Sequence, residues 1–299
     1  MFFKLIVCIQ SLYNERRMEE INKDQKAFWS GKGGEIWVTK QDSMDIMLSP
    51  LGEEAIKKLN LSSNENVLDI GCGCGSTTIS IANEILNNGT ISGIDISIPM
   101  IEKAKRSVND LSISNIDFFV KDVQTENLGK NIFSSAYSRF GVMFFDDPFK
   151  AFNNILTSLK ENGKLSFVCW QSPKLNPWQS LSVQAVREFI DLPSPPKRNP
   201  GPFAFQEKDY VNDILKKAGF KDIQIDDFQR EIDMFYGKAL EEAAEDYLSI
   251  NPVITEMLKE SSQEIRKSVS DSLIEAFRPF YNENRLTFPS ATWIVSARK

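Results

Sequence analysis

The residues best placed to do chemistry are three carboxylates, Asp69, Asp95 and Asp122, each at or just past the end of a short apolar run. Between the first two stand Gly71, Gly73 and Gly75 at alternate positions, in Asn66-Val67-Leu68-Asp69-Ile70-Gly71-Cys72-Gly73-Cys74-Gly75. A strand, a tight glycine turn and a helix opening at Ser76 form the first unit of a nucleotide-binding α/β domain. Glycine suits that turn because the backbone must reverse sharply and lie against a ligand with no Cβ between them. The spacing is G-x-G-x-G, not the dinucleotide G-x-G-x-x-G, and no Lys-Ser/Thr pair follows as in a phosphate loop. Asp95 follows the first glycine by close to the ~20 residues expected for a carboxylate that accepts hydrogen bonds from both ribose hydroxyls. The chain has no histidine. That removes the usual general base, Ser-His triads and His-ligated metals, and leaves proton transfer to Asp, Glu, Tyr, Lys, Cys or water.

The elements that position these residues alternate. Strands are expected at 66–70, 90–95, 116–122, 133–138 and 164–170. Helices are expected from Thr77 to Leu86, stopped by Asn87-Asn88-Gly89; from Ile98-Pro99 to Val108; and from Asp147-Pro148 to Lys160, stopped by Asn162-Gly163. Such alternation implies a parallel sheet with its ligand at the carboxyl ends of the strands. An amphipathic helix, 51–61, leads into the first strand. Residues 171–209 break the rhythm with seven prolines bracketing one helix (about 178–190), and read as an inserted cap because they carry Trp178, Phe189, Phe203 and Phe205. A helix over 208–218 capped by Gly219, a strand over 220–228, two or more helices over 238–281 broken at Asn251-Pro252, and a last strand within 286–297 complete the chain. Residues 22–48 hold Trp29, Trp37 and the cluster Gly31, Gly33, Gly34. They are either a helix docked by its aromatics or a lid over a ligand site.

Composition narrows the function. With 299 residues, 41% hydrophobic, the chain can bury one large core with an insertion. A net charge of -6 argues against a general nucleic-acid surface. The run from Phe2 to Ile9 is too short for a membrane span and lacks a signal cleavage site, so residues 1–17 read as an upstream extension or an extra helix. Four cysteines, two of them inside the glycine turn, form no disulfide framework, as in a reducing cytoplasmic compartment.

Val67 to Gly75, then Gly93-Ile94-Asp95-Ile96-Ser97-Ile98-Pro99-Met100, then Lys121-Asp122-Val123 resemble three successive motifs of class I S-adenosylmethionine-dependent methyltransferases, in the style of the small-molecule ubiquinone/menaquinone branch. Gly141 to Trp170 is similar to the motifs that follow, and Trp29…Gly34…Trp37 to a pattern ahead of the core in some relatives. The resemblance implies a Rossmann-like α/β fold with a seven-stranded sheet, mostly parallel with a closing antiparallel strand, plus an inserted helical cap. The implied units are an N-terminal helical segment or lid over 1–49; a cofactor core over 50–170, completed by 208–228 and 286–299; and a cap of 171–207 and 229–285 over the substrate site. It implies that Gly71, Cys72 and Gly73 line the methionine part of S-adenosyl-L-methionine, with Asp69 ordering the turn or meeting the amino group through water. Asp95 would hold the ribose, Ile96 and Met100 sandwich adenine, Asp122 accept from the adenine amino group beside the Val123 amide, and Ser138 face the methionine moiety. Arg139 would reach either substrate or a structural acid such as Asp146 or Asp147, with the structural role favoured.

The expected reaction is in-line methyl transfer to a small-molecule acceptor, by proximity and orientation and without a metal. Trp29, Trp37, Arg139, Trp178 and Tyr236 are the substrate-contact candidates; no catalytic residue is assigned, and Tyr137, Tyr210 and Tyr236 are orienters only if they are not structural. Other readings are a protein or RNA methyltransferase and a module that binds the cofactor or its product without turnover. No membrane span and no nucleic-acid partner are expected, and a homodimer is kept open.

Overall fold

The structure is a computed structural model and describes residues 22–85, 89–192 and 196–299. The apolar run near the amino terminus, the Asn87-Asn88 helix stop, Pro193 and Pro195 lie outside the described residues. Seven strands form one sheet in the order β3-β2-β1-β4-β5-β8-β6. They are β1 (Asn66–Ile70), β2 (Thr90–Asp95), β3 (Ile116–Val120), β4 (Phe133–Arg139), β5 (Leu159–Trp170), β6 (Lys221–Met234) and β8 (Arg285–Arg298); β7 (Tyr281–Asn282) pairs only with β8. Strands β1 to β5 pair in parallel, and β8 runs antiparallel between β5 and β6. This is the mostly parallel, Rossmann-like sheet with a closing antiparallel strand. The order reverses at β1 and β4, which places the ligand crevice beyond their carboxyl ends.

Ten helices are seen among the described residues: α1 (Lys23–Ser30), α2 (Lys32–Leu59), α3 (Ser76–Ile85), α4 (Ile98–Leu111), α5 (Pro148–Ser158), α6 (Pro177–Arg187), α7 (Lys208–Ala218), α8 (Leu240–Ile250), α9 (Pro252–Glu260) and α10 (Gln263–Phe277). None is long and apolar enough to cross a membrane. Local chemistry explains several ends. Ser97 caps α4, with Pro99 in its first turn; Asp147 caps α5; Asn251 caps α9; and Gly219, at φ 101°, closes α7.

Three elements differ from the sequence expectation. Helix α2 is one rod of 28 residues that passes through Pro50. Proline removes a single amide donor there, and Leu48, Leu51, Ala55, Ile56 and Leu59 bury the apolar stripe on either side of it. Helix α5 stops at Ser158, because Leu159 already pairs with Phe133 at the start of β5. Strand β6 continues past Phe228 to Met234, held by twelve paired positions along β8. Its exposed charges, among them Asp226, Asp227, Arg230 and Glu231, mark an outer edge protected from further pairing. Beyond the sheet, α6, α8, α9 and α10 form a helical layer. The buried Tyr247 hydroxyl joins Ser182 of α6 to α8, and the Phe277 ring packs edge-on against Tyr247.

Candidate cofactor site

The site begins where β1 ends. Gly71 (φ 64°) and Gly73 (φ 56°) adopt left-handed backbone that side-chain-bearing residues avoid. At Gly71 a Cβ would stand 2.9 Å from the Gly141 Cα, so the β1 turn and the β4 turn approach backbone to backbone. At Gly73 the space is of another kind. A Cβ would find only Met100 Sδ at 3.6 Å and Trp37 Nε1 at 3.8 Å. Gly73 thus floors a narrow cradle walled by the start of α4 and by α2. The amides of Gly71 and Cys72 both donate to the Ile94 carbonyl, which ties the turn to β2.

Three carboxylates stand at or just past the carboxyl ends of β1, β2 and β3. Asp69 is fully buried, and its Oδ2 accepts from the hydroxyls of Thr77 (2.9 Å) and Thr78 (2.7 Å) in the first turn of α3. Its Oδ1 is buried without a hydrogen-bond partner. Burial pushes its pKa up to about 6, against the two threonine hydroxyls and the Arg139 charge, which pull it down. Asp95 is also buried. Its oxygens accept from the amides of Gly73 (2.9 Å) and Ser97 (2.8 Å), and burial raises its pKa in spite of them. Asp122 closes the row beyond β3, with Oδ1 accepting from the Gln124 amide at 2.9 Å. Neighbouring Val123 is buried, and its carbonyl accepts from Asn154. Gln124 carries a second orphan: its Oε1 accepts from the Asp147 amide, while its buried Nε2 has no partner.

The other predicted residues divide. Cys72 and Cys74 are buried free thiols whose pKa values rise through desolvation, Cys74 to about 12, so they act as small turn residues. Met100 walls the cradle, and Ile96 offers its carbonyl to Ser30 Oγ at 3.0 Å. The Ser138 hydroxyl donates to the Ile70 carbonyl (2.7 Å) and accepts from the Gly141 amide (3.2 Å), so it joins the β1 and β4 turns. Arg139 corrects the expected partner. Its Nη2 lies 2.7 Å from Asp45 Oδ1 on α2, while Asp147 caps α5 and Asp146 is exposed. Trp37 stands over Gly73, and Trp29 packs edge-on against Trp37 and Phe144.

Trp178 and Tyr236 make their contacts elsewhere. Trp178 is buried between Trp170 and Phe203, and Tyr236 is 57% exposed in the turn after β6, with Arg285 over its ring. The wholly buried Tyr137 donates its hydroxyl to the Gly52 carbonyl, and Tyr210 packs against Phe205 and Arg198. Sequence reasoning missed Asp45, Gln41 and Phe140. The first two share a helical face with Trp37, at i, i+4 and i+8, a legible signal. Phe140 takes φ 59°, rare for a bulky residue, at the mouth of β4, and stacks on Trp170 at 4.4 Å.

A glycine cradle, a row of acids and a reversal of strand order at β1/β4 meet at one place. The family model described as "Methyltransferase domain" matches residues 61–219, more than half of the chain. The chain belongs to this methyltransferase-domain family. It is similar to aklanonic acid methyltransferase of Streptomyces sp. (strain C5), at 29% identity over 119 residues, covering 40% of this chain and 54% of that protein. It is also similar to phosphoethanolamine N-methyltransferase 1 of Arabidopsis thaliana, at 30% identity over 177 residues, 58% of this chain and 32% of that one. The chain therefore spans about a third to a half of the length of these curated relatives. Among solved structures, phosphoethanolamine N-methyltransferase 2 of Haemonchus contortus, in complex with phosphomonomethylethanolamine and S-adenosylhomocysteine, aligns with a TM-score of 0.51 at 18% identity. That alignment covers 84% of this chain and 52% of the other, and shows the fold.

Proposed function

We propose that the protein transfers the methyl group of S-adenosylmethionine to a small-molecule acceptor. The observation that carries this reading is the row of Asp69 in β1, Asp95 at the end of β2 and Asp122 just beyond β3, with the Gly73 amide of the glycine turn donating to Asp95. The residues fit that cofactor. Asp95 offers a carboxylate to the ribose hydroxyls, Asp122 an acceptor to the adenine amino group, and the orphan Oδ1 of Asp69 a negative charge toward an ammonium. Met100 and Ile96 supply the apolar faces for adenine, and Gly71 to Gly73 leave the room that the methionyl chain requires.

The bound sulfonium supplies an already activated methyl carbon. The chain's own task is to hold the two reactants in line and keep water out. Trp37 and Trp29 cover the turn from the α2 side. Trp170, stacked on Phe140 and packed at a tilt against Trp178, adds apolar bulk beside the β4 turn. In this reading residues 22–49 act as a lid, and the described residues of 171–207 together with 235–285 as the cap that shapes the acceptor site. The absence of histidine favours an acceptor that is itself nucleophilic or enters ionised. The net charge of -6 favours a small acceptor over RNA. The buried free thiols Cys72, Cys74 and Cys169 support a reducing, cytoplasmic setting.

Thermal melting with S-adenosylmethionine, S-adenosylhomocysteine and NAD tests the reading. Both adenosyl ligands should raise the melting temperature and NAD should not, after which a metabolite screen for S-adenosylhomocysteine release would find the acceptor. No stabilisation by either adenosyl ligand would sink the proposal. Stabilisation without turnover on any acceptor, together with a blocked path from Gly73 to the cap, would favour a binding module.

A further inference from the structure

The two lateral edges of the sheet are finished differently. Strand β6 presents a run of charges of both signs, whereas β3 closes the other side and runs out through Asp117-Phe118-Phe119-Val120-Lys121. Among the described residues no strand pairs with the outer side of β3. The Lys121 amide donates to the Asp95 carbonyl, and the Asn115 carbonyl accepts from the Ile91 amide, so the odd positions face β2. The amides and carbonyls of Ile116, Phe118 and Val120 therefore point outward along the free edge. Phe118 is buried, but Phe119 is 43% and Val120 41% exposed. Asp117 is exposed and has no ion-pair partner among the described residues. Lys121 has a carbonyl in place of a carboxylate: its Nζ donates to Asn127 at 3.3 Å and lies 5.7 Å from the centre of the Phe119 ring.

We infer that β3 is a self-pairing edge, to which a second copy of this chain adds antiparallel about a two-fold axis through Phe119. In that register Asp117 stands opposite Lys121 of the second copy, Lys121 opposite its Asp117, and the two Phe119 rings oppose each other. The outward amides and carbonyls of Phe118 and Val120 exchange hydrogen bonds across the axis. The odd positions then form the non-hydrogen-bonded pairs, where side chains come closest, and both opposite charges and aromatic rings stabilise such pairs. A register about Phe118 would satisfy the same backbone groups but set Asp117 against a Phe119 ring, so charge selects the register. Charge also selects the partner, because the stretch from Asp117 to Lys121 is complementary to itself under a two-fold operation. Shortness by itself blunts an edge, but the exposed Phe119 and Val120 act the other way. A strand of 5 residues offers a small contact, so the dimer should be weak and concentration-dependent. The inference is independent of the methyl-transfer reading.

Sedimentation velocity of the full chain, over a series from nanomolar to high micromolar concentration, tests it. Wild type should pass from monomer to dimer across the series. Asp117→Lys and Lys121→Asp, each first shown by its melting curve to be folded, set like charges opposite each other. Each should weaken self-association by roughly tenfold or more. An equimolar mixture of the two variants should recover the dimer, because each chain then meets the opposite charge at both positions. Val120→Pro removes an amide that points away from β2, so it should abolish the dimer and leave the sheet intact. A wild type that stays monomeric throughout, one that assembles beyond a dimer, or a dimer indifferent to both charge variants would overturn the inference. Should a charge variant fail to fold, Val120→Pro decides, and a dimer of wild-type strength in that variant would overturn it.

Discussion

Strand β1 has a buried acid at each end, and the two are treated in opposite ways. At the amino end, Glu65 accepts from Lys164 Nζ at 2.8 Å, from the Ser62 amide and from the Ser135 hydroxyl. Burial alone would raise its pKa, but Lys164 and Ser135 outweigh burial and hold the carboxyl below its usual range. At the carboxyl end, Asp69 has two hydroxyls, no cation in contact and an oxygen with no partner, and its pKa rises to about 6. The strand and the solvent exclusion are shared, so the difference lies in the partners the fold provides. The amino edge is satisfied within the protein. The carboxyl edge is left short of positive charge, which is the state expected of a surface built to meet a cationic ligand.

The largest expected effect comes from breaking the satisfied end. Lys164→Met strands the Glu65 carboxylate and removes the lysine from the carbonyls of Leu59 and Asn60 at the end of α2. It should cost roughly 1–3 kcal/mol or more in chemical denaturation and leave S-adenosylhomocysteine affinity unchanged. An equal loss of affinity would erase the contrast between the two edges.

Next in size is the pH response of the unsatisfied end. The Asp69 pKa is about 6 in the folded state and ~3.9 unfolded, so between these values the folded state binds more protons. Stability should therefore fall as the pH rises from about 4 to 6, by on the order of 1–3 kcal/mol, and the cost should persist above pH 6. Asp69→Asn should flatten that dependence. The same proton should weaken cofactor affinity below about pH 6 in wild type, because the neutral carboxyl no longer attracts an ammonium. Denaturation and titration series over pH 4.5–8 read both effects.

The smallest effect is expected at Tyr236, exposed beside Arg285. Tyr236→Ser should change stability by no more than about 0.5 kcal/mol and should leave cofactor affinity alone. A clear loss of affinity for a methyl acceptor would instead bring this turn into the substrate site.

The carboxyl edge was legible because its signals are local. Gly71 and Gly73 sit where the backbone takes positive φ, Asp95 ends β2, and Asp122 follows β3 by two residues, after apolar runs that announce both strands. Arg139 shows where that legibility stops. Its partner, Asp45, lies 94 residues away on a helix that the sequence divides into segments 22–48 and 51–61, and burial on both sides of Pro50 keeps the rod continuous. The extension of β6 was hidden for a related reason. Ile232 and Met234 alternate correctly, but Gln229, Arg230 and Glu231 interrupt them with the charges of an exposed edge. Trp178 presents the opposite case. An aromatic residue in a proline-rich insertion suggests a ligand contact, yet Trp170 and Phe203 enclose its ring.

The most direct test of the account is calorimetric titration of S-adenosylhomocysteine into wild type and Asp95→Ala at neutral pH. Asp95 stands at the end of β2, and its two oxygens accept from the amides of Gly73 and Ser97. The account predicts that wild type binds and that Asp95→Ala loses about 1.5–3 kcal/mol of binding free energy while keeping a wild-type melting curve or a higher one. Unchanged affinity in a folded Asp95→Ala protein would contradict it, because the acids of the carboxyl edge would then be architecture, as Glu65 is.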